Sequence, residues 1–132
     1  ATTKGFVMEF IHAPKACASV GPYSHCVKAG STYYLCGQVP FHPVTGEVVG
    51  NGMKEQAVQT LANMKAVLEA AGLTVTDIAK TTVFVTNMDD FAAFNEVYAA
   101  FMGEHRPARV CVEVSNIAHG CLLEMDAICF KE

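Results

Sequence analysis

The sequence predicts a single α+β domain over residues 1–132, in which a mixed six-stranded sheet packs against two helices. Six short runs rich in β-branched and aromatic residues are separated by turn residues, which is typical of strands. Two longer segments repeat apolar side chains at steps of three and four, which is typical of amphipathic helices. Since 52% of the 132 residues are hydrophobic, the chain has enough material for one core and needs no second domain.

The N-terminal part predicts three strands and a loop. Residues 4–11 are predicted to form the first strand, which ends before a proline that cannot donate to a sheet ladder. Residues 23–29 and 32–39 predict a hairpin around Gly30 and the serine after it, because glycine adopts a positive φ without strain. Residues 41–52 contain one proline and three glycines and show no periodicity, so they predict a loop.

The first helix is predicted over residues 53–71. Its apolar stripe consists of Ala57, Leu61, Met64, Leu68 and Ala71. Asn51 is expected to cap the start of this helix, and Gly72 is expected to end it in the left-handed conformation.

A strand, a helix and two further strands complete the chain. Residues 81–86 are β-branched and aromatic and predict a strand. Asn87 or Asp89 is expected to cap the second helix, whose apolar stripe is Phe91, Phe94, Tyr98 and Phe101. Residues 109–114 and 122–130 predict a closing antiparallel pair of strands. The expected order is therefore β-β-β-α-β-α-β-β.

One face of this sheet is expected to meet another subunit. Two amphipathic helices can cover only one face of a six-stranded sheet. The strand over residues 32–39 nevertheless has no polar face, since its side chains include Tyr33, Tyr34, Leu35, Cys36 and Val39. An uncovered apolar face needs a partner, so burial alone predicts a homo-oligomer.

Charge and cysteine usage exclude several classes of function. The formal net charge is -4, and the nine Lys and Arg residues are scattered, so no basic patch for nucleic acid is expected. No secretory signal and no apolar run of about 18 residues is recognisable, so a cytoplasmic location without a membrane partner is expected. The six cysteines and five histidines lack ligand spacing, which predicts reduced thiols and no metal site.

Arg109 and Glu124 are the candidate functional residues, because both are charges embedded in apolar strands. Arg109 and Cys111 are expected to share a face of one strand, and an antiparallel pairing of the last two strands can bring Arg109 near Glu124. Such a pair is either a plain cross-strand ion pair or a site. In a site, the arginine fork binds a substrate carboxylate and the glutamate positions water or moves a proton.

Several stretches of the chain recur together in one family. They are Gly21-Pro22-Tyr23-Ser24, Cys36-Gly37-Gln38-Val39-Pro40, Thr45-Gly46-Glu47, Glu69-Ala70-Ala71-Gly72-Leu73, Lys80-Thr81-Thr82-Val83-Phe84-Val85, Asp90-Phe91, Pro107-Ala108-Arg109-Val110-Cys111-Val112-Glu113-Val114 and Leu123-Glu124-Met125. On these motifs the chain resembles the RidA family, also called YjgF, L-PSP endoribonuclease or translation inhibitor. The likeness covers nearly the whole chain, and the Pro-Ala-Arg segment with the later glutamate is its most specific part.

The resemblance implies a homotrimer of chorismate-mutase-like subunits whose sheets line a central barrel. It also implies hydrolysis of reactive 2-imino acids and their enamines, such as 2-iminobutanoate and 2-aminoacrylate, to 2-oxo acids and ammonia without a cofactor. By the same resemblance, Arg109 holds the substrate carboxylate and Glu124 positions or activates water. Tyr23 lines the pocket from a neighbouring subunit, and the backbones of Gly37 and Cys111 face the imine.

Cys36 departs from the family pattern, since many relatives have serine before the Gly-Gln pair; it remains a candidate for substrate contact without the hydroxyl. Two other functions stay open. The family's endoribonuclease or translation-inhibitor label is disfavoured by the acidic charge balance and by the absence of tryptophan. A non-catalytic carboxylate-binding protein or holdase would use the same fork of Arg109, so the sequence does not separate it from an enzyme.

Overall fold

A computed structural model describes residues 7–132 as one mixed six-stranded sheet with two helices on one face. The strands are β1 (Met8–Ile11), β2 (Cys26–Ala29), β3 (Thr32–Gln38), β4 (Ile78–Val85), β5 (Ala108–Glu113) and β6 (Leu123–Phe130). The helices are α1 (Met53–Ala70) and α2 (Phe91–Met102). This architecture confirms the α+β class and the predicted order of elements.

The strands lie in the spatial order β1-β2-β3-β6-β4-β5. Every neighbouring pair is antiparallel except β4 and β5, which are parallel and are connected through α2. A parallel pair needs such a crossover, because its second strand must start at the same end of the sheet as the first. The crossover places α2 over the β4–β5 edge of the sheet.

The core lies between the sheet and the two helices. Along β6 the buried residues alternate with half-buried ones, and the buried set is Leu123, Met125, Ala127 and Cys129. From the helices, Met64 of α1 and Phe94 of α2 are fully buried against this layer. The period of two in the strand and the helical stripes therefore point to the same layer, as predicted.

The predicted closing pair of strands is wrong, because β4 lies between β5 and β6. In β4 the helix-facing side chains of Ile78, Thr81 and Val83 are all at most 2% exposed. In β5, by contrast, the helix-facing side chains of Arg109 and Cys111 are only half-buried. The more deeply buried strand takes the inner position with a neighbour on each side, and β5 becomes the edge of the sheet in one subunit.

The helix ends differ from the predictions at their caps. Gly52, not Asn51, is the residue before α1, and no side chain caps this end. Gly72, the second residue after the end of α1, has the left-handed φ of +75° that was predicted. Asn87 accepts a hydrogen bond from the backbone N–H of Asp89 at 2.8 Å, but it caps a single 3₁₀ turn that precedes α2.

The strand boundaries shift by a few residues from those predicted. Residues 4–6 of the first predicted strand lie outside the described residues. Residues 23–25 are not in a strand, since β2 begins at Cys26, and β4 begins three residues before the predicted start. Among residues 7–132 no helix is long and apolar enough to cross a membrane.

The face of the sheet turned away from the helices is apolar and exposed. One row of cross-strand neighbours on this face consists of Phe10, Val27, Tyr34 and Ile128. Phe10 is 70% exposed and Tyr34 is 49% exposed in the single chain. An apolar surface of this kind is typical of a site for another protein surface.

Candidate functional site

Arg109 and Glu124 do not meet within one chain. Arg109 lies beside Thr81 on the helix-covered face, where the Thr81 hydroxyl is 2.7 Å from the hydroxyl of Tyr98 in α2. Glu124 lies beside Phe84 on the opposite face. The two charges are therefore on opposite sides of the sheet with β4 between them, and the interpretation as a plain cross-strand ion pair is wrong.

Helix α2 holds the guanidinium group of Arg109 in one orientation. Its Nη1 donates a hydrogen bond to Asn95 Oδ1 at 2.7 Å. The guanidinium carbon also lies 5.2 Å from the ring centroid of Phe91 and 4.8 Å from that of Tyr98. Aromatic faces attract a cation at these distances. With Nη1 fixed, the Nε and Nη2 donors form the fork that suits a carboxylate.

The fork of Arg109 opens into a cavity of about 430 Å³ between α2, the connection after it and the start of β5. Its lining residues are Asn95, Tyr98, Ala99, Arg106, Pro107 and Arg109. No carboxylate side chain is among these lining residues, so the cavity is positively charged. Cys111 follows on the same face of β5, and burial raises the pKa of its thiol although the charge of Arg109 acts in the opposite direction.

Glu124 lies against the backbone of Gly37. A β-carbon added at Gly37 would collide with the Glu124 carboxylate. Gly37 belongs to an irregular stretch of β3, where the register against β6 shifts between Leu35 and Gln38. Burial raises the pKa of the Glu124 carboxyl, and the nearby Asp126 raises it further. The carboxyl also lines a cavity of about 290 Å³ with Asn116 and its neighbours in the β5–β6 connection.

Cys36 is on the same side of the sheet as Glu124. Its backbone N–H donates to the carbonyl of His25 at 2.9 Å, and its Sγ accepts a hydrogen bond from Gln38 Nε2 at 3.1 Å. Burial raises the pKa of the Cys36 thiol, and the charge of Glu124 acts in the same direction. The thiol is therefore neutral at neutral pH. Cys36, Gly37 and Tyr23 line one narrow cleft.

The candidate residues thus form two separate groups within one chain. The cation group, on the helix-covered face of β5, contains Arg109 and Cys111 with Asn95 from α2. The acid group, on the exposed face, contains Glu124, Gly37 and Cys36, with Tyr23 in the adjoining cleft. Neither group alone offers both a carboxylate-binding fork and a carboxyl that can exchange a proton.

Two residues of the candidate site were not predicted. Asn95 was overlooked although it is a polar residue on the aromatic face of α2, four positions after Phe91 and three before Tyr98. His25 lies in the bend before β2 and is buried: its Nδ1 accepts from the N–H of Ala13 at 2.9 Å, and its Nε2 donates to the carbonyl of Cys17 at 2.8 Å. These bonds hold the segment that leads to the cleft.

Within residues 7–132, no group of three or more His, Cys, Asp or Glu side chains is placed to hold a metal ion. The six cysteines, all in this range, are unpaired.

The structure is a small α+β domain in which the fork of Arg109 lines a cavity that has no carboxylate among its lining residues. Comparison with known proteins gives the family. The family described as Endoribonuclease L-PSP matches residues 12–131. A RutC family protein of Pyrococcus horikoshii is 48% identical over 124 residues, which are 94% of this chain and 98% of that protein. The chain therefore belongs to the L-PSP family, as the resemblance to RidA predicted.

Two further relatives bear on the site. The 2-iminobutanoate/2-iminopropanoate deaminase of Escherichia coli is 45% identical over 124 residues, covering 92% of this chain and 96% of that enzyme. The crystal structure of E. coli TdcF with bound serine superposes with a TM-score of 0.89 at 41% identity, covering 94% of this chain and 99% of that one. The deaminase is similar in sequence, and TdcF in both sequence and fold, along nearly the whole length of each chain.

Proposed function

We propose that the protein is a deaminase that hydrolyses 2-imino acids to 2-oxo acids and ammonia. The single observation that carries the proposal is the oriented fork of Arg109, which faces a cavity without a carboxylate of its own. A 2-imino acid presents a carboxylate directly beside the carbon that reacts. A fork that holds this carboxylate therefore also fixes the position of the imine.

The proposed active site lies between subunits. The cation group and the acid group are on opposite faces of one chain, so a head-to-tail ring of subunits can set the cation group of one against the acid group of the next. The exposed apolar face that contains Tyr34 supports such an assembly. Following the family resemblance, the ring is a trimer, with Tyr23 contributed by the subunit opposite Arg109. Sedimentation should give the mass of a trimer, and a fully active monomer would contradict this arrangement.

In the proposed reaction Glu124 acts first as a base. Its carboxylate accepts a proton from water while the water oxygen bonds to C2 of the imine and the nitrogen takes up a proton from solvent. The resulting tetrahedral carbinolamine loses ammonia as its C–N bond breaks and the oxygen–carbon double bond forms. The Glu124 proton passes to the departing nitrogen, and the hydroxyl proton of the carbinolamine returns to solvent. A raised pKa of Glu124 suits both steps. A group exchanges protons most efficiently as base and acid when its pKa lies near the working pH.

The rate enhancement required is modest, because imines already hydrolyse readily in water. Orientation by Arg109 and a properly placed carboxyl group are general sources of such acceleration. The proposal assigns no step to a cofactor or to a thiol. Cys36 and Cys111 are each assigned substrate contact only, and the backbones of Gly37 and Cys111 are expected to face the imine.

The test is the release of ammonia from 2-iminobutanoate generated in situ by a threonine dehydratase. Added protein should accelerate the appearance of ammonia and 2-oxobutanoate above the uncatalysed rate. Arg109→Ala, checked for retained fold and assembly, is the matched control and should give the uncatalysed rate. A wild-type rate equal to the uncatalysed one would reject the deaminase.

A second candidate function is binding of a small carboxylate without turnover, and the similarity to TdcF with bound serine favours it. Calorimetric titration with serine and with 2-oxobutanoate separates the two. Binding that depends on Arg109, together with no acceleration of ammonia release, would establish the binding protein in place of the enzyme. The endoribonuclease name carried by the family has less support here, since the net charge is -4 and no basic stripe is present in the sequence.

A further inference from the structure

A second arginine faces the cavity of Arg109. The Nη1 of Arg106 donates to the carbonyl of Gly103 at 2.6 Å and to the carbonyl of His105 at 2.9 Å. Both bonds use the same nitrogen, so the backbone after α2 fixes one end of the guanidinium group. Its Nε and Nη2 remain as a pair of parallel donors, the arrangement that binds a carboxylate in a bidentate manner.

The two guanidinium groups are anchored by different elements. Arg109 is held by Asn95 and two rings of α2, whereas Arg106 is held by the turn that follows the helix. The ion pairs within residues 7–132 join Lys28 to Glu9 and Lys54 to Glu96, so neither arginine is neutralised by a carboxylate of the described chain. Two unneutralised cations that line one cavity repel each other.

The charge of the cavity indicates what it binds. A ligand with one carboxylate accepts hydrogen bonds from Arg109 and leaves the Nε and Nη2 donors of Arg106 without an anionic acceptor. A ligand with two carboxylates places an anion on each fork and removes the repulsion between them. The volume of about 430 Å³ is within the usual range for small-molecule sites.

We propose that the cavity makes the protein selective for dicarboxylic 2-imino acids, with the carboxylate next to the imine on Arg109 and the side-chain carboxylate on Arg106. This inference rests on the proposed deaminase function and specifies its substrate class. The reaction is unchanged: water adds to C2, ammonia leaves, and the product is a 2-oxo dicarboxylic acid. Arg106 is exposed, so water screens its interaction and the expected preference is about tenfold.

The experiment compares two imines made in situ by flavin oxidases. D-aspartate oxidase produces the dicarboxylic imine from D-aspartate, and D-amino acid oxidase produces the monocarboxylic imine from D-2-aminobutyrate. Protein-dependent ammonia release gives kcat/KM for each. Wild-type protein should favour the dicarboxylic imine about tenfold, and Arg106→Gln should bring the ratio of the two kcat/KM values to about one.

Charge and structural effects are separated by two controls. Lys65→Gln removes one positive charge from an exposed site on α1 outside this cavity, so it should leave the ratio as in wild type. If Arg106 only closes the turn after α2, Arg106→Gln would lower kcat/KM for both imines by the same factor. An equal loss, or a wild-type ratio near one, would overturn the inference while the deaminase function stands.

Failure of the deaminase itself is recognised by the absence of turnover with both imines. The selectivity is then measured by binding, since the forks act on carboxylates in either case. Calorimetric titration with 2-oxoglutarate and 2-oxobutanoate should show tighter binding of the dicarboxylate by about tenfold in wild type and equal binding in Arg106→Gln. Equal affinities in wild type would overturn the inference.

Discussion

Asn95 Oδ1 accepts a hydrogen bond from Arg109 Nη1 at 2.7 Å, so helix α2 sets the direction in which the arginine fork points. Removal of this acceptor in Asn95→Ala leaves the guanidinium stacked on two rings but free to turn. We expect KM for 2-iminobutanoate to rise about tenfold with a smaller change in kcat, because a lost hydrogen bond to a charged group costs about 1.5 kcal/mol. Steady-state kinetics measure this split.

The matched control for Asn95 is its neighbour Glu96. Glu96 faces away from the cavity and forms a surface ion pair with Lys54, in which both side chains are more than half exposed. Glu96→Ala should leave KM unchanged, since exposed ion pairs contribute little. An unchanged KM in Asn95→Ala would show that aromatic stacking alone orients Arg109.

Arg109→Lys tests whether the geometry of the fork matters beyond its charge. Lysine retains the positive charge but offers no parallel pair of donors and cannot keep the same stacking. We therefore expect kcat/KM to fall about 10- to 100-fold, nearly as far as in Arg109→Ala. Retention of near-wild-type kcat/KM in the lysine variant would show that charge alone suffices.

Glu124→Gln tests the proton transfer. The amide keeps the shape of the side chain but accepts no proton, so turnover should fall by about 100-fold or more while carboxylate binding persists.

In the wild type, kcat/KM should fall as the pH decreases through the raised pKa of Glu124, because the ionised base is lost. The midpoint of this fall is expected above the ordinary value of 4.5. A profile that is flat across this region would contradict the role of Glu124 as the base.

Glu124→Gln is also expected to change the thermal stability of the protein. A carboxyl whose pKa is raised by burial favours folding only when protonated, so its ionisation destabilises the protein as the pH rises through the raised pKa. Glu124→Gln should therefore have a higher Tm than wild type at pH 7, and the difference should vanish below the ordinary carboxyl range. An equal Tm for the two proteins at pH 7 would show that ionised Glu124 has no stability cost.

Gly37→Ala should lower the activity and leave the fold intact. The added methyl group would occupy the space of the Glu124 carboxylate, which must then turn away from its position. We expect kcat to fall at least about tenfold, with an unchanged far-ultraviolet circular dichroism spectrum. Gly52→Ala is the control: Gly52 has φ -116° and nothing within 4 Å of an added β-carbon, so full activity should remain.

The sequence predicted the elements of the fold but not all of their neighbours. The periodic patterns of α1, α2 and the strands are local, and each predicted element is present with shifts of a few residues. Strand pairing is not local. The short connection between β5 and β6 suggested a hairpin, whereas β4 lies between these two strands and pairs with both of them.

The same limit applies to the candidate site. Arg109 and Glu124 were recognisable as charges within apolar strands, but their positions on opposite faces depend on the strand order. Asn95 and His25 have no distinctive spacing in the sequence. Their partners, Arg109 and the backbone of Ala13 and Cys17, are brought to them only by the folded chain.

The separation of the cation group from the acid group in each chain has a genetic consequence. In the proposed ring, Arg109→Ala and Glu124→Gln inactivate different halves of a shared site, so the two defects are expected to complement each other. Co-refolding equal amounts of the two inactive proteins should restore about a quarter of the wild-type sites by random assembly. Mixing the assembled proteins without unfolding should restore none until subunits exchange. Two alleles that each abolish the activity should therefore give partial activity when they are expressed together.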